Sequence, residues 1–269
     1  MWVIPVILAV LTDAYLFALR GRSGHPLLET LKKFSYAHRG FHGNGVPENS
    51  MAAFKLAKEK GYGIELDIHL LKDGELAVIH DSLLRRTTGA EGKIEDITAD
   101  ELKNYRLEGT KETIPLFSEV LKLFEGATPL IVELKPENKN HAELAKAACD
   151  MLDKFNVTYC IESFDPRCII WLKKNRPDVV RGQLSSNFFK SKTKLSFPVK
   201  FMLTHNLLNF LSKPDFIAYE FSKRKDTLSN LICCKLWKIQ GVGWTIKDKQ
   251  THSEVLKSGW ISIFEKFEA

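Results

Sequence analysis

From residue 34 onward, apolar and polar positions alternate between two periods. Short runs rich in β-branched and aromatic residues read as strands: FSYAH (34–38), YGIELDIHL (62–70), ELAVIH (75–80), PLIVELK (129–135), VTYCIESF (157–164), VVRGQL (179–184), DFIAYEFS (215–222), IQGVGWTI (239–246) and GWISIF (259–264). Between most of them lie stretches with helical spacing: MAAFKLAKEKG, FSEVLKLFEG, HAELAKAACDMLDKF, PRCIIWLKKN, DTLSNLICC and KDKQTHSEVLKSG. Repeated strand-then-helix units predict a parallel sheet covered by helices.

The second and third strands are separated only by a turn around Lys72, Asp73 and Gly74. So short a connection joins antiparallel strands, and one member of that pair is therefore a hairpin extension outside the parallel set. Eight strands remain in about 235 residues, which predicts a (β/α)8 barrel of the TIM type. The competing doubly wound open sheet is disfavoured because no glycine-rich dinucleotide turn follows the first strand. The connection from Asp81 to Pro115 is too long for an ordinary loop and reads as an insertion of about 81–115 over one face. Within it, Thr98 and Glu101 have capping-box spacing.

The N-terminus breaks this pattern. MWVIPVILAVLTDAYLFAL is a mostly apolar run of 19 residues, interrupted by Asp13. It predicts one transmembrane helix in residues 1–20, then a linker at 21–33 and a catalytic barrel domain at 34–269. Arg20, Arg22, Lys32 and Lys33 follow the run and no basic residue precedes it, so the expected arrangement is single-pass, with the barrel on the cytoplasmic side.

Composition adds boundaries. A hydrophobic content of 44% with 27% charged residues belongs to an ordinary globular chain. The net charge of +6 is spread without an aromatic and basic stripe, which favours an anionic membrane or anionic substrate over nucleic acid. Five cysteines at positions 149, 160, 168, 233 and 234 lack zinc spacing and suit packed thiols in a reducing compartment.

The candidate chemistry gathers at strand ends. Glu65 and Asp67 lie two apart, hence on one face of a strand. Glu133 takes a similar place on the PLIVELK strand, with Lys135 two residues on. Unpaired carboxylates are too costly for a barrel core, so their place is the mouth. Three converging carboxylates form an all-oxygen site for Mg2+ or Ca2+. His38 and His80 close two strand-like runs and can supply one base and one acid. Arg39 has the fork geometry for a phosphate. His42, His69, His141, His205 and His252 have no comparable placement and read as non-catalytic, with His69 the nearest to an exception because it shares a face with Asp67.

In this order and spacing, HRG, PENS, ELD, VIHD, VELKPE, ESFDP and WTIKD resemble the glycerophosphodiester phosphodiesterase family, over about Tyr36 to Lys249. The resemblance implies a barrel with an insertion after the HD motif. It also implies Glu65, Asp67 and Glu133 as metal ligands, His38 and His80 as the acid/base pair, and Arg39 and Lys135 as phosphate binders. Trp244 would line the substrate pocket, while Glu48 and Asn49 would support the site by orienting Arg39 and capping the next helix. At its end this chain departs from the family pattern: SGWISIFEKFEA puts Glu265 near the place of a terminal aspartate.

The expected activity is metal-dependent hydrolysis of a glycerophosphodiester to glycerol phosphate and an alcohol. One alternative is lysophospholipase D cleavage of a membrane lysophospholipid, for which Phe188, Phe189 and Phe210 are candidates to line an apolar groove. The other is a catalytically silent, membrane-tethered binding barrel.

Overall fold

The computed structural model describes residues 3–269. Nine strands form, one for each predicted run: β1 (Tyr36–His38), β2 (Gly63–Leu70), β3 (Leu76–Val78), β4 (Leu130–Leu134), β5 (Tyr159–Ser163), β6 (Arg181–Ser185), β7 (Phe216–Glu220), β8 (Gln240–Ile246) and β9 (Ile261–Phe264). Eight are parallel neighbours, and the β1–β2 and β1–β9 pairings close them into a barrel. The extra strand is β3, antiparallel to the upper part of β2 with Ile68 opposite Val78. Its reversed direction leads the chain back down, so that Ile79 N–H donates to Asp67 O and His80 arrives beside the barrel mouth.

Strand alternation divides the apolar residues into two layers. Ile64, Leu66, Val132 and Ile161 point outward against Phe54, Phe117, Leu121, Leu144 and Ile169 of the surrounding helices. These belong to α2 (Met51–Glu59), α3 (Phe117–Phe124), α4 (His141–Leu152) and α5 (Pro166–Asn175). Tyr36, Ile131, Cys160, Phe216, Val242 and Ile261 fill the barrel interior. Glu65, Asp67, Glu133 and Glu162 have the inward parity but sit nearer the C-terminal ends of their strands. The helical ring is completed by α6 (Phe197–Thr204) and α7 (Lys249–Lys257).

The segment after His80 folds as short helical turns on a satellite core that includes Leu84, Ile94, Leu102 and Leu107. In it, Thr98 N–H donates to Glu101 Oε2 at 2.7 Å, as the capping-box spacing predicts.

The N-terminal expectation is corrected. The apolar run forms α1 (Val3–Ala18), 16 residues and so about 24 Å long, against a hydrocarbon core of about 30 Å. No helix among the described residues is long and apolar enough to cross a membrane; the first two residues of the expected span lie outside the described residues. The helix stops where the chain turns onto the barrel. Leu19 is buried among Ile217, Tyr219, Cys233 and Ile239, and Trp237 Nε1 donates to Leu16 O at 3.0 Å. The side chains from Val3 to Leu11 are exposed.

Residues 21–33 are also not a free linker. Arg22 forks onto the buried Asp215 carboxylate at 2.5 and 2.6 Å, and Leu28 and Leu31 plug the barrel floor beneath Tyr36. All five cysteines are free thiols, four of them buried.

Candidate active site

The register of the sheet assembles the site. His38 lies opposite Glu65, Asp67 opposite Glu133, and Glu133 opposite Glu162. Because all point inward, the mouth gathers four carboxylates that no single motif contains. One carboxylate oxygen of each of Glu65, Asp67 and Glu133 lies within 4.8 Å of the others. Glu65, Glu133 and Glu162 share a small cavity of about 50 Å3 with His38, Arg39, His80, Phe164 and Trp244.

Their electrostatics follow from burial. Burial, then the charges of Asp67, Glu133 and Glu162, push Glu65 well above the ordinary carboxylate range. Burial likewise pushes Glu133 up to about 7, with Asp67 adding and Lys135 opposing. Asp67 is the exception: burial works against its charge, yet Lys135, His80 and Arg39 hold it well below the usual range. The Lys135 ammonium lies 3.0 Å from Asp67 Oδ1 and 2.6 Å from Glu133 Oε1. It pairs with both carboxylates, and neither of these buried oxygens receives any other hydrogen bond, which leaves each with unused acceptor capacity.

That donor set fits a hard divalent cation: it is all oxygen, buried, convergent and under-satisfied. Glu65, Asp67 and Glu133 are the residues able to hold one.

The two histidines are each held by a carboxylate. His80 Nδ1 lies 2.5 Å from Asp81 Oδ1, and His38 Nδ1 lies 2.9 Å from Glu265 Oε2. A carboxylate only accepts, so each Nδ1 carries a proton and each Nε2 is the nitrogen available for proton transfer. Burial lowers both imidazoles, His80 to about 4, against the pull of Asp67 on each.

Arg39 occupies the left-handed region at φ 54°, uncommon for an arginine. This turn aims its backbone N–H at Glu65 Oε2, 3.1 Å away. Gly40 follows at φ 79°, where a Cβ would come within 2.8 Å of Ala53 Cβ, so the HRG turn needs glycine there. Arg39 Nη1 donates to Glu48 Oε1 at 2.8 Å, which places Glu48 where it can orient the guanidinium. Arg86 bonds both Glu48 and Asp81, linking Arg39 through Glu48 to the carboxylate behind His80.

Several expectations change. Asn49 does not cap α2; Ser50 does, its Oγ accepting from Ala53 N–H at 3.1 Å. Asn49 instead donates from Nδ2 to Asp67 Oδ2 at 2.9 Å, because its own left-handed backbone turns the side chain inward. His42, read as a bystander, has Nε2 3.6 Å from Glu265 Oε2 and joins His38 in the same cluster. His69 contacts Glu95 and the His80 carbonyl at 2.6 and 3.2 Å, a brace for the segment after β3. Phe188 lines an apolar groove, but Phe189 packs outside it, tilted against Phe197, and Phe210 packs on Phe17 of α1. Trp244 lies at the cavity, its ring edge-on to Phe164 at 5.7 Å.

Glu162 was missed. The signal was present, since it is fourth in YCIES as Glu133 is fourth in LIVEL. Burial and then Glu133 push it well above the usual carboxylate range.

The family described as "Glycerophosphoryl diester phosphodiesterase family" matches residues 38–265. A glycerophosphodiester phosphodiesterase of Bacillus altitudinis is 46% identical over 110 residues, spanning 38% of this chain and 44% of that protein. A lysophospholipase D of Homo sapiens is 34% identical over 133 residues, spanning 45% of this chain and 41% of its own length. The matched stretches thus cover less than half of these relatives. Among solved structures, a phosphodiesterase of Oleispira antarctica in complex with the product sn-glycerol-3-phosphate superposes with a TM-score of 0.72. It is 24% identical and covers 91% of this chain and 95% of that one, a likeness of fold.

Proposed function

This chain belongs to the glycerophosphoryl diester phosphodiesterase family, and from that premise we propose that it hydrolyses a glycerophosphodiester to glycerol phosphate and an alcohol. The observation that carries the reading is the convergence of Glu65, Asp67 and Glu133 within 4.8 Å, beside Lys135, Arg39 and two carboxylate-held histidines. A divalent cation bound there supplies positive charge that polarises the phosphoryl oxygens. Arg39 and Lys135 offset charge building on those oxygens. One imidazole takes a proton from the attacking water. As the new P–O bond forms, the bond to the alcohol breaks, and the other imidazole gives a proton to the departing oxygen.

The test is release of glycerol phosphate from glycerophosphocholine with Mg2+ or Ca2+ and with chelator. Cation-dependent release that is lost in Glu65→Gln, with the circular dichroism spectrum unchanged, is expected. Full turnover by that variant in chelator would refute the reading.

A second substrate, a lysophospholipid cleaved in lysophospholipase D fashion, is favoured by the apolar groove that shares Phe164 with the catalytic cavity. The exposed side chains of α1, including Ile4 at 71% and Leu8 at 60%, support residence at a lipid surface.

A further inference from the structure

The apolar run of α1 is followed at once by two cations, Arg20 and Arg22, and the fold brings three more to them. Lys173 arrives from the last turn of α5, Arg181 opens β6, and Lys213 precedes β7. All five line one cavity of about 600 Å3, together with Trp237 and without an acidic residue. Arg181, Lys213 and Trp237 stand at or just before the first residues of β6, β7 and β8. The cavity therefore lies at the barrel floor, opposite the mouth that holds the carboxylates.

Only one of the five cations is neutralised inside the protein. Arg22 Nε and Nη2 hold Asp215 at 2.5 and 2.6 Å, and its Nη1 donates to Pro177 O at 2.5 Å. The backbone N–H of Arg181 donates to Asp215 Oδ2 at 3.0 Å, so that carboxylate is fully engaged. The Arg181 side chain is treated differently. The residue is 3% exposed, its Nε donates to Ser212 O at 3.2 Å, and its buried Nη1 has no hydrogen-bond partner among the described residues. A buried charged donor without an acceptor is costly, and this one belongs to a residue lining a roomy cavity.

The remaining cations are also without a carboxylate. Lys173 Nζ donates to Leu211 O at 2.8 Å, Arg20 lies 5.5 Å from the Trp237 ring, and Lys213 Nζ lies 5.5 Å from the Phe17 ring. Their mutual repulsion registers in their acidities. Burial and then Arg22 lower Arg181 to about 10, with Asp215 opposing. Burial, then Arg20 and Lys173, lower Lys213.

We propose that the floor cavity binds a phosphomonoester at a site separate from the catalytic centre. Arg181 supplies the buried donor, and Arg20, Lys173 and Lys213 supply the surrounding charge. A carboxylate or a phosphodiester carries a single charge against these four cations. A phosphomonoester carries nearly two and presents three acceptor oxygens. The volume lies in the range of small-molecule sites, so the group that bears the phosphate has room to enter with it. Lipid headgroups and soluble compounds share this chemistry. Position favours the lipid, because Arg20 and Lys213 flank the foot of α1, whose exposed apolar side chains suit the acyl boundary. The site stands independently of the phosphodiesterase reading.

The experiment titrates inorganic phosphate into the full chain by calorimetry. Since the mouth also carries cations, the readout is the difference between the parent chain and its variants. Arg181→Gln removes the buried donor. Lys173→Gln combined with Lys213→Asn removes two charges that reach solvent, and asparagine suits the left-handed backbone of residue 213 at φ 46°, which keeps the test open if Arg181→Gln fails to fold. Each lost charge-assisted contact is worth about tenfold, so floor-site affinity should fall at least that far in the double variant. A second arm floats the chain with phosphatidylcholine vesicles carrying phosphatidic acid, a phosphomonoester, or phosphatidylglycerol, a diester, at equal surface charge. A preference for phosphatidic acid that the double variant loses assigns the phosphate to a lipid headgroup. Weakened phosphate binding with no vesicle preference, or with one that the double variant keeps, assigns it to a soluble phosphomonoester. Phosphate isotherms and vesicle preference that are both the same in parent and double variant overturn the site, whatever the catalytic assays show.

Discussion

Glu265 Oε2 accepts a hydrogen bond from His38 Nδ1 at 2.9 Å, joining the last strand's end to the first's. The barrel's closure through β1 and β9 makes this contact between residues 227 positions apart. The hydrogen bond from His38, then the His42 imidazole 3.6 Å away, hold Glu265 well below the usual carboxylate range. The carboxylate in turn opposes the lowering of His38 by burial. Replacing it as Glu265→Gln lets the imidazole fall further, so the limb of the pH profile of kcat/KM that reports His38 should move to lower pH. Turnover should drop by about 10- to 100-fold, with partial rescue by Glu265→Asp. An unmoved profile would make Glu265 merely structural.

Without a cation the carboxylate cluster stores repulsion. Glu133 is raised to about 7, and Glu65 and Glu162 are raised by burial and by their neighbours. A carboxyl whose folded pKa is raised contributes stability below its unfolded value, lost as pH rises through the folded one. In chelator, melting temperature should therefore decline as pH climbs from the ordinary carboxylate range through about 7. Mg2+ or Ca2+ should raise it more at pH 8 than at pH 6, because binding must displace protons at the lower pH. Equal shifts at both would count against the carboxylate site. Glu162→Gln should lessen the decline seen in chelator.

Asn49 and Ser50 are adjacent but serve different ends. Ser50→Ala removes the cap of α2 and should cost about 1 kcal/mol of stability in a denaturant melt, with little change in cation affinity. Asn49→Ala removes the bond to Asp67 and should weaken cation binding about tenfold in calorimetry. Reversed phenotypes would show that the hydrogen bonds have been misassigned.

Leu19 and the exposed part of α1 give a similar contrast. Leu19→Ala opens a cavity beside β7 and should cost about 2 to 5 kcal/mol. Replacing Ile7, Leu8 and Leu11 together with serine should leave the melting temperature within a degree or two but reduce sedimentation with anionic lipid vesicles. Unchanged sedimentation would remove α1 from the lipid-facing surface.

What the sequence by itself determined was whatever depends on local periodicity. All nine strands and the shared face of Glu65 and Asp67 follow from alternation over a few residues. The short turn between β2 and β3 makes that pair antiparallel, while only the sheet shows β3 to be the strand outside the parallel set. The ordered motifs carried the resemblance to the family. Tertiary structure decided what depends on distant segments meeting. Glu265 reaches His38 only because the barrel closes, and Glu162 joins the carboxylates only through the β4–β5 register. Arg86 becomes a bridge only when the segment after β3 folds back over the mouth. The expected membrane span shows the same limit from the other side. Its hydropathy could be read along the chain, but its end at Ala18 was set by the surface of β7, onto which Leu19 packs.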